Sequence, residues 1–223
     1  MKILLFSPPR SCSTACCDLL AAKFNLANLQ NVRDEFRINQ SMTTEQINQY
    51  LDETDNYVAK IHSTQFYAFP NSYVDVPWSA TDLIVLTERQ NKLDQVASFL
   101  LRIAWEESQT SKPVNYREFS ESNFSGEVDI TRFPFIKKGF QKYDEVKQYL
   151  LENYPEKCVT VNYESFQLPT DQQIADQLST ELNMTITVQD ISAIVETKTN
   201  INYSTNITNY EDVVEIYHGY FLQ

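Results

Sequence analysis

Twice in this sequence a short, unbroken apolar run ends in a polar turn and passes straight into a helical stripe. Ile3-Leu4-Leu5-Phe6 leads into Ser7-Pro8-Pro9-Arg10-Ser11-Cys12-Ser13-Thr14, and Leu83-Ile84-Val85-Leu86-Thr87 leads into Glu88-Arg89-Gln90-Asn91. Such runs mark strands buried on both faces, which occur in parallel sheets covered by helices. After the second run, Leu93, Val96, Ala97, Leu100, Ile103 and Ala104 fall on one helical stripe over 92–107. Further strands are predicted at 57–61 and, beyond Pro155, at 158–162, with the first at 2–7. Further helices are predicted over 13–24, 43–53, 136–153, 170–182, 188–196 and 209–219, with Thr43 and Gln46 placed for a capping box. This alternation implies an α/β fold with a central, mainly parallel sheet flanked by helices. Residues 108–135 hold Pro113, Gly126 and Pro134, lack periodicity and read as a loop or lid. Residues 1–223 as a whole read as one domain.

Composition removes several function classes. The only glycines are Gly126, Gly139 and Gly219. A phosphate-binding P-loop needs two glycines before Lys-Ser/Thr, and the dinucleotide fingerprint needs three, so neither can be written here. A formal net charge of −12 repels nucleic acid and anionic membranes. No run approaches the length needed to span a bilayer, so membrane insertion is not expected. Ile3–Phe6 is too short for a secretory signal and is cut off by prolines. The cysteines, Cys12, Cys16, Cys17 and Cys158, follow no disulfide-framework or zinc spacing. Cys16 shares an apolar face with Leu19, Leu20 and Phe24 and reads as a small core residue. These features together point to a reduced, cytoplasmic setting, and no metal site is expected.

The first turn carries the chemistry. A helix N-terminus offers backbone N–H groups and the positive end of a dipole, a combination suited to phosphate or sulfate. Arg10 adds a permanently charged donor fork. Ser13 and Thr14 can serve as helix caps and as anion ligands, because both roles fall at the same helix end. The second turn repeats the plan, with Arg89 at a strand end and Ser98 inside the next helix. Arg10, His62 and Arg89 each follow a predicted strand, and ligands of parallel sheets bind at the carboxyl ends of strands.

Taken together, these segments resemble the sulfotransferases that use 3′-phosphoadenosine 5′-phosphosulfate (PAPS), most closely the bacterial trehalose sulfotransferase-like branch. The family's Pro-Arg/Lys-Ser-Gly-Ser/Thr-Thr loop is matched by Pro9-Arg10-Ser11-Cys12-Ser13-Thr14. The branch's Cys-Asp/Glu-Leu-Leu is matched by Cys17-Asp18-Leu19-Leu20, its acid beside aromatics by Asp34-Glu35-Phe36, and its strand–Arg–helix–Ser element by Arg89 and Ser98. Tyr163-Glu164-Ser165-Phe166 is similar to its Tyr-Glu-x-Leu element. The family's usual loop glycine is Cys12 here, and glycine adopts positive φ at less cost than cysteine does. Nine residues separate Arg89 from Ser98, where the family commonly shows eight.

The resemblance implies a P-loop-NTPase-like three-layer fold and sulfuryl transfer from PAPS to a hydroxyl of a small molecule, such as a sugar or lipid headgroup. Arg10, Ser11, Cys12, Ser13 and Thr14 would hold the 5′-phosphosulfate, and Arg89 and Ser98 the 3′-phosphate. In-line transfer of this kind depends on positioning and charge stabilisation. A base must take the acceptor's proton. By resemblance that base is Glu35; His62, which titrates near neutrality, competes for the role. Three other readings stand beside this one. A sulfotransferase-like protein could bind the nucleotide without turnover. A small-molecule kinase would need a Lys-Ser/Thr loop and a Mg²⁺-holding acid, and the loop has no Lys. A Cys-dependent phosphatase would need an Arg six residues after Cys12, where Asp18 stands.

Overall fold

The computed structural model describes residues 1–29, 45, 48–49, 51, 55–66, 72–108, 124–192 and 202–221. In chain order its elements are β1 (Lys2–Ser7), α1 (Ser13–Phe24), β2 (Ala27–Leu29), β3 (Tyr57–His62), β4 (Leu83–Glu88), α2 (Lys92–Ser108), α3 (Phe133–Asn153), β5 (Cys158–Asn162), α4 (Asp171–Leu182), α5 (Val188–Ser192), α6 (Tyr203–Asn206) and α7 (Tyr210–Phe221). Short 3₁₀ turns cover Ser63–Phe66, Ser72–Asp75, Trp78–Ala80, Ile130–Arg132 and Tyr163–Gln167. The chain folds into two compact units, Met1–Gln90 with Gly139–Val195, and Asn91–Lys138 with Glu196–Gln223.

The first unit is the expected α/β fold. Its strands form one five-stranded sheet in the order β2-β3-β1-β4-β5, and every pairing is parallel. Two-residue alternation splits each strand between two cores. Ile3, Leu5, Val58, Val85 and Val161 face Cys16, Cys17 and Leu20 of α1 and Ile174, Leu178 and Leu182 of α4. Leu4, Phe6, Ala59, Ile61, Ile84 and Leu86 face Tyr143, Val146 and Leu150 of α3, together with Phe66, Val76 and Trp78. Helix, sheet and helix therefore make three layers. Unbroken apolar runs are required because both faces of β1 and β4 are covered. Phe6 anchors the second core, stacked on Tyr143 with centroids 5.2 Å apart and edge-on to Trp78 at 6.2 Å. Burial of a side chain of this size contributes about 1.5–3 kcal/mol.

Helix ends follow local chemistry. Thr170 caps α4 by accepting the Gln173 N–H at 3.3 Å. Asn25 and Asn183 close α1 and α4 in the left-handed conformation, each at φ 51°. The α3 helix starts at Phe133 rather than 136, because Pro134 sits in the first turn, where no intrahelical N–H is needed. The short strand β2 lies at the sheet edge and is mostly exposed, so it lacks the apolar signature of the others. Glu45, Asn48, Gln49 and Leu51 are helical, while Thr43 and Gln46 lie outside the described residues.

In the second unit α2 packs against α6 and α7. Gly126 donates its N–H to the Asn206 carbonyl at 2.9 Å and accepts from Thr208 N–H at 3.1 Å. Asn209 bonds both backbone groups of Val128, each at 3.0 Å. Residues 124–132 are thereby tied to the 206–209 segment, and residues 109–123 lie outside the described residues. Among the described residues no helix is long and apolar enough to cross a membrane.

Candidate functional site

The strand order fixes where a ligand would sit in the first unit. After β1 the chain moves to β2 and β3 on one side, and after β4 it moves to β5 on the other. The carboxyl ends of β1 and β4 therefore flank a switch point, where outgoing connections diverge and leave a crevice. Ser11 spans it. Its hydroxyl donates to the Pro8 carbonyl at 2.8 Å, so the 2.7 Å contact with Thr87 has Thr87 as donor. Ser11 and Thr87 are both fully buried. The β1 loop is thus fastened to the end of β4.

The loop backbone is unusual. Arg10 has φ 63° and Cys12 has φ 61°, both left-handed, while Ser11 between them does not have positive φ. Each such non-glycine residue costs about 1–2 kcal/mol relative to a right-handed one. Left-handed residues in a turn can aim neighbouring N–H groups toward one point, a concavity suited to an anion. Cys12 occupies the N-cap of α1 without a side-chain hydrogen bond, so the cap falls neither on Ser13 nor on Thr14. The first intrahelical bond is donated by Cys16 to the Cys12 carbonyl at 3.0 Å. The N–H groups of Ser13, Thr14 and Ala15 accordingly have no acceptor within the helix. The positive φ that glycine would adopt at little cost is adopted here by cysteine.

Beside this loop, β3 contributes two polar side chains from the face that α1 covers. Lys60 is almost fully buried and donates to Thr14 Oγ1 at 2.9 Å. His62 pairs in register with Ser7, and the Ser7 hydroxyl meets His62 Nδ1 at 2.9 Å. The His62 backbone N–H donates to Gln65 Oε1 at 2.6 Å. Ring position and the end of β3 are therefore both held.

On the other side of the loop, Arg89 is 4% exposed and lies on the face of Tyr163, 4.1 Å from the ring centroid. Stacking of this kind uses the guanidinium face and is compatible with in-plane N–H groups meeting an oxyanion. The next residue, Gln90, donates its backbone N–H to Glu164 Oε1 at 2.9 Å. Glu181 of α4 accepts from Asn162 Nδ2 at 2.9 Å and from Ser165 Oγ at 2.8 Å. Burial pushes the Cys12 thiol well above its ordinary range; Glu164 and Glu181 push it further, and Arg89 opposes them. Cys12 is therefore a neutral thiol, unlike the thiolate a nucleophile requires. Burial likewise raises Cys16, and raises Cys17 to about 12.

The residues singled out from the sequence divide as follows. Arg10, Ser11, Cys12, Ser13, Thr14, His62 and Arg89 all stand at the carboxyl edge of the first unit's sheet. Ser98 is buried on α2 in the second unit. Glu35 lies outside the described residues. Sequence reasoning missed Ser7, Thr87 and Glu181, which look like ordinary strand and helix residues until register and packing bring them to the edge. Glu88, the acid at the end of β4, bonds Lys147. No protein-family model matches the chain, and no curated protein matches it.

Proposed function

We propose that this chain is a sulfotransferase that takes the sulfuryl group of PAPS and passes it to a hydroxyl of a small molecule. The observation that carries the reading is the β1 loop: left-handed backbone at Arg10 and Cys12, at a helix start, on the switch point of a parallel sheet. Left-handed cysteine and arginine are costly, and strain of this kind collects where a backbone must present its N–H groups to a ligand. Two further cations, Lys60 and Arg89, suit a ligand with two anionic ends, in a protein whose net charge is −12. PAPS supplies an activated sulfuryl group with a phosphate leaving group.

In this reading the loop N–H groups and Arg10 hold the 5′-phosphosulfate and balance charge as it shifts to the leaving phosphate. Lys60 holds Thr14 in place beside them. Arg89 binds the 3′-phosphate. His62 takes the acceptor's proton on Nε2, which requires the tautomer in which Nδ1–H donates to the Ser7 hydroxyl. Glu35, the base implied by the family resemblance, is the alternative at that step.

Calorimetric titration with 3′-phosphoadenosine 5′-phosphate (PAP) tests the reading. Micromolar binding by the wild type, lost in Arg10→Ala, supports it. The acceptor step is then assayed with PAPS in His62→Ala and Glu35→Gln, and the variant that abolishes transfer while retaining PAP identifies the base. Nucleotide binding without transfer to any acceptor marks a binding protein. No PAP binding by folded wild type sinks the assignment.

A further inference from the structure

We infer that Glu181 is a positioning residue for Arg89, acting through the turn Tyr163–Gln167. This rests on the reading that Arg89 binds the 3′-phosphate. The chain of contacts is short. Glu181 Oε1 accepts from Asn162 Nδ2 at 2.9 Å, from Ser165 Oγ at 2.8 Å and from Gln177 Nε2 at 3.2 Å. Its Oε2 accepts the Asn162 backbone N–H at 3.3 Å. One carboxylate on α4 thus fixes the last residue of β5 and the middle of the turn that follows.

That turn grips the end of β4 at two points. Tyr163 supplies the ring under the Arg89 guanidinium at 4.1 Å, and Glu164 receives the Gln90 N–H at 2.9 Å. A long, flexible arginine binds phosphate well only when its fork is already oriented, because rotamer freedom is otherwise lost on binding. A stacked ring restrains the guanidinium plane, and a bonded backbone restrains its base. Both restraints depend on a 3₁₀ turn of five residues, a helix type with poorer hydrogen-bond geometry than an α-helix. Glu181 supplies a tie from outside the turn. It is remote in sequence from both Arg89 and the β1 loop, yet its charge is felt at Cys12, which places it at the same corner of the sheet edge.

The test compares PAP with adenosine 5′-monophosphate, which lacks the 3′-phosphate, by calorimetry on the full chain. Arg89→Ala sets the full value of the 3′-phosphate contact. Glu181→Ala is expected to weaken PAP on the order of tenfold, the scale of one charge-assisted hydrogen bond. Monophosphate affinity should stay unchanged. Glu181→Gln, whose amide oxygen still accepts from Asn162 and Ser165, should restore PAP binding. If Glu181→Ala does not fold, Ser165→Ala removes one of the ties and should weaken PAP alone, by a smaller factor. Equal loss for both nucleotides, or no loss for either, overturns the inference. Wild type that binds the two nucleotides equally overturns the role of Arg89 and this inference with it. Wild type that binds neither overturns the sulfotransferase reading itself.

Discussion

Cys12 offers a sharp test of the loop. It sits at φ 61°, ψ 13°, where a side chain costs about 1–2 kcal/mol. Cys12→Gly removes that cost. Against it stand about 0.4–1 kcal/mol for the freer unfolded chain and about 0.8 kcal/mol for the lost half-buried thiol group. The sum leaves Cys12→Gly within about 1 kcal/mol of wild type. Cys12→Ala keeps the strain and loses the sulfur, about 0.8 kcal/mol. Cys12→Val places a β-branched residue at positive φ and should cost on the order of 2–3 kcal/mol. Urea unfolding should therefore rank Gly close to Cys, then Ala, then Val. With a slope of about 2–3 kcal/mol per molar, Val falls about 1 M below wild type. PAP titration of the same variants should retain binding in Gly and lose it in Val. Valine as stable as alanine would show that position 12 is not left-handed, and the anion concavity would fall with it.

Other outcomes follow from the thiols and the core. In native protein at pH 8, iodoacetamide should modify all four cysteines slowly and modify them quickly in urea, because burial raises Cys12 and Cys16 strongly, Cys17 to about 12 and Cys158 to about 11. Rapid native labelling at Cys12 would contradict the neutral thiol. The folded state keeps the Cys17 proton where the unfolded chain, at about 9, releases it. That contribution to stability is fully present below about pH 9 and is lost as pH rises toward 12, by up to about 1.4 kcal/mol per pH unit. Melting temperature between pH 8 and 10.5 should fall less steeply in Cys17→Ala, and an identical slope would refute this. Phe6→Ala should cost about 3–5 kcal/mol through its three aromatic neighbours, while Val188→Ala, 40% exposed, should stay within about 0.5 kcal/mol by urea unfolding.

The parts legible in the sequence were those where one physical signal dominates. The runs Ile3–Phe6 and Leu83–Thr87 read as doubly covered strands, and β1 and β4 occupy them. The 13–24 helix matches to the residue. β2 escaped because an exposed edge strand of three residues carries no pattern. Pro134 misled because it reads equally as a loop residue and as a first-turn residue. At the site, the Arg10–Thr14 segment was visible as charge and hydroxyls at a turn, but its backbone hand was not, since nothing in the residue names forces a cysteine to positive φ. Tyr163 was visible as a motif residue. Its role under Arg89 depends on β4 and β5 being neighbours, which only the sheet order reveals.

The first unit is discontinuous, with Gly139–Val195 added after an excursion of the chain. This has a consequence during synthesis. The ribosome completes β1, β3 and β4 long before it makes β5 and α4, and at roughly 5–20 residues per second the gap lasts several seconds or more. Throughout it, β4 presents an open edge, and for most of it Leu4, Phe6, Ile84 and Leu86 wait for Tyr143, Val146 and Leu150 of α3. A nascent chain in this condition has an unpaired apolar strand of the kind that seeds aggregation. Expression yield should therefore depend on holding factors and on elongation rate more than the stability of the finished fold would suggest.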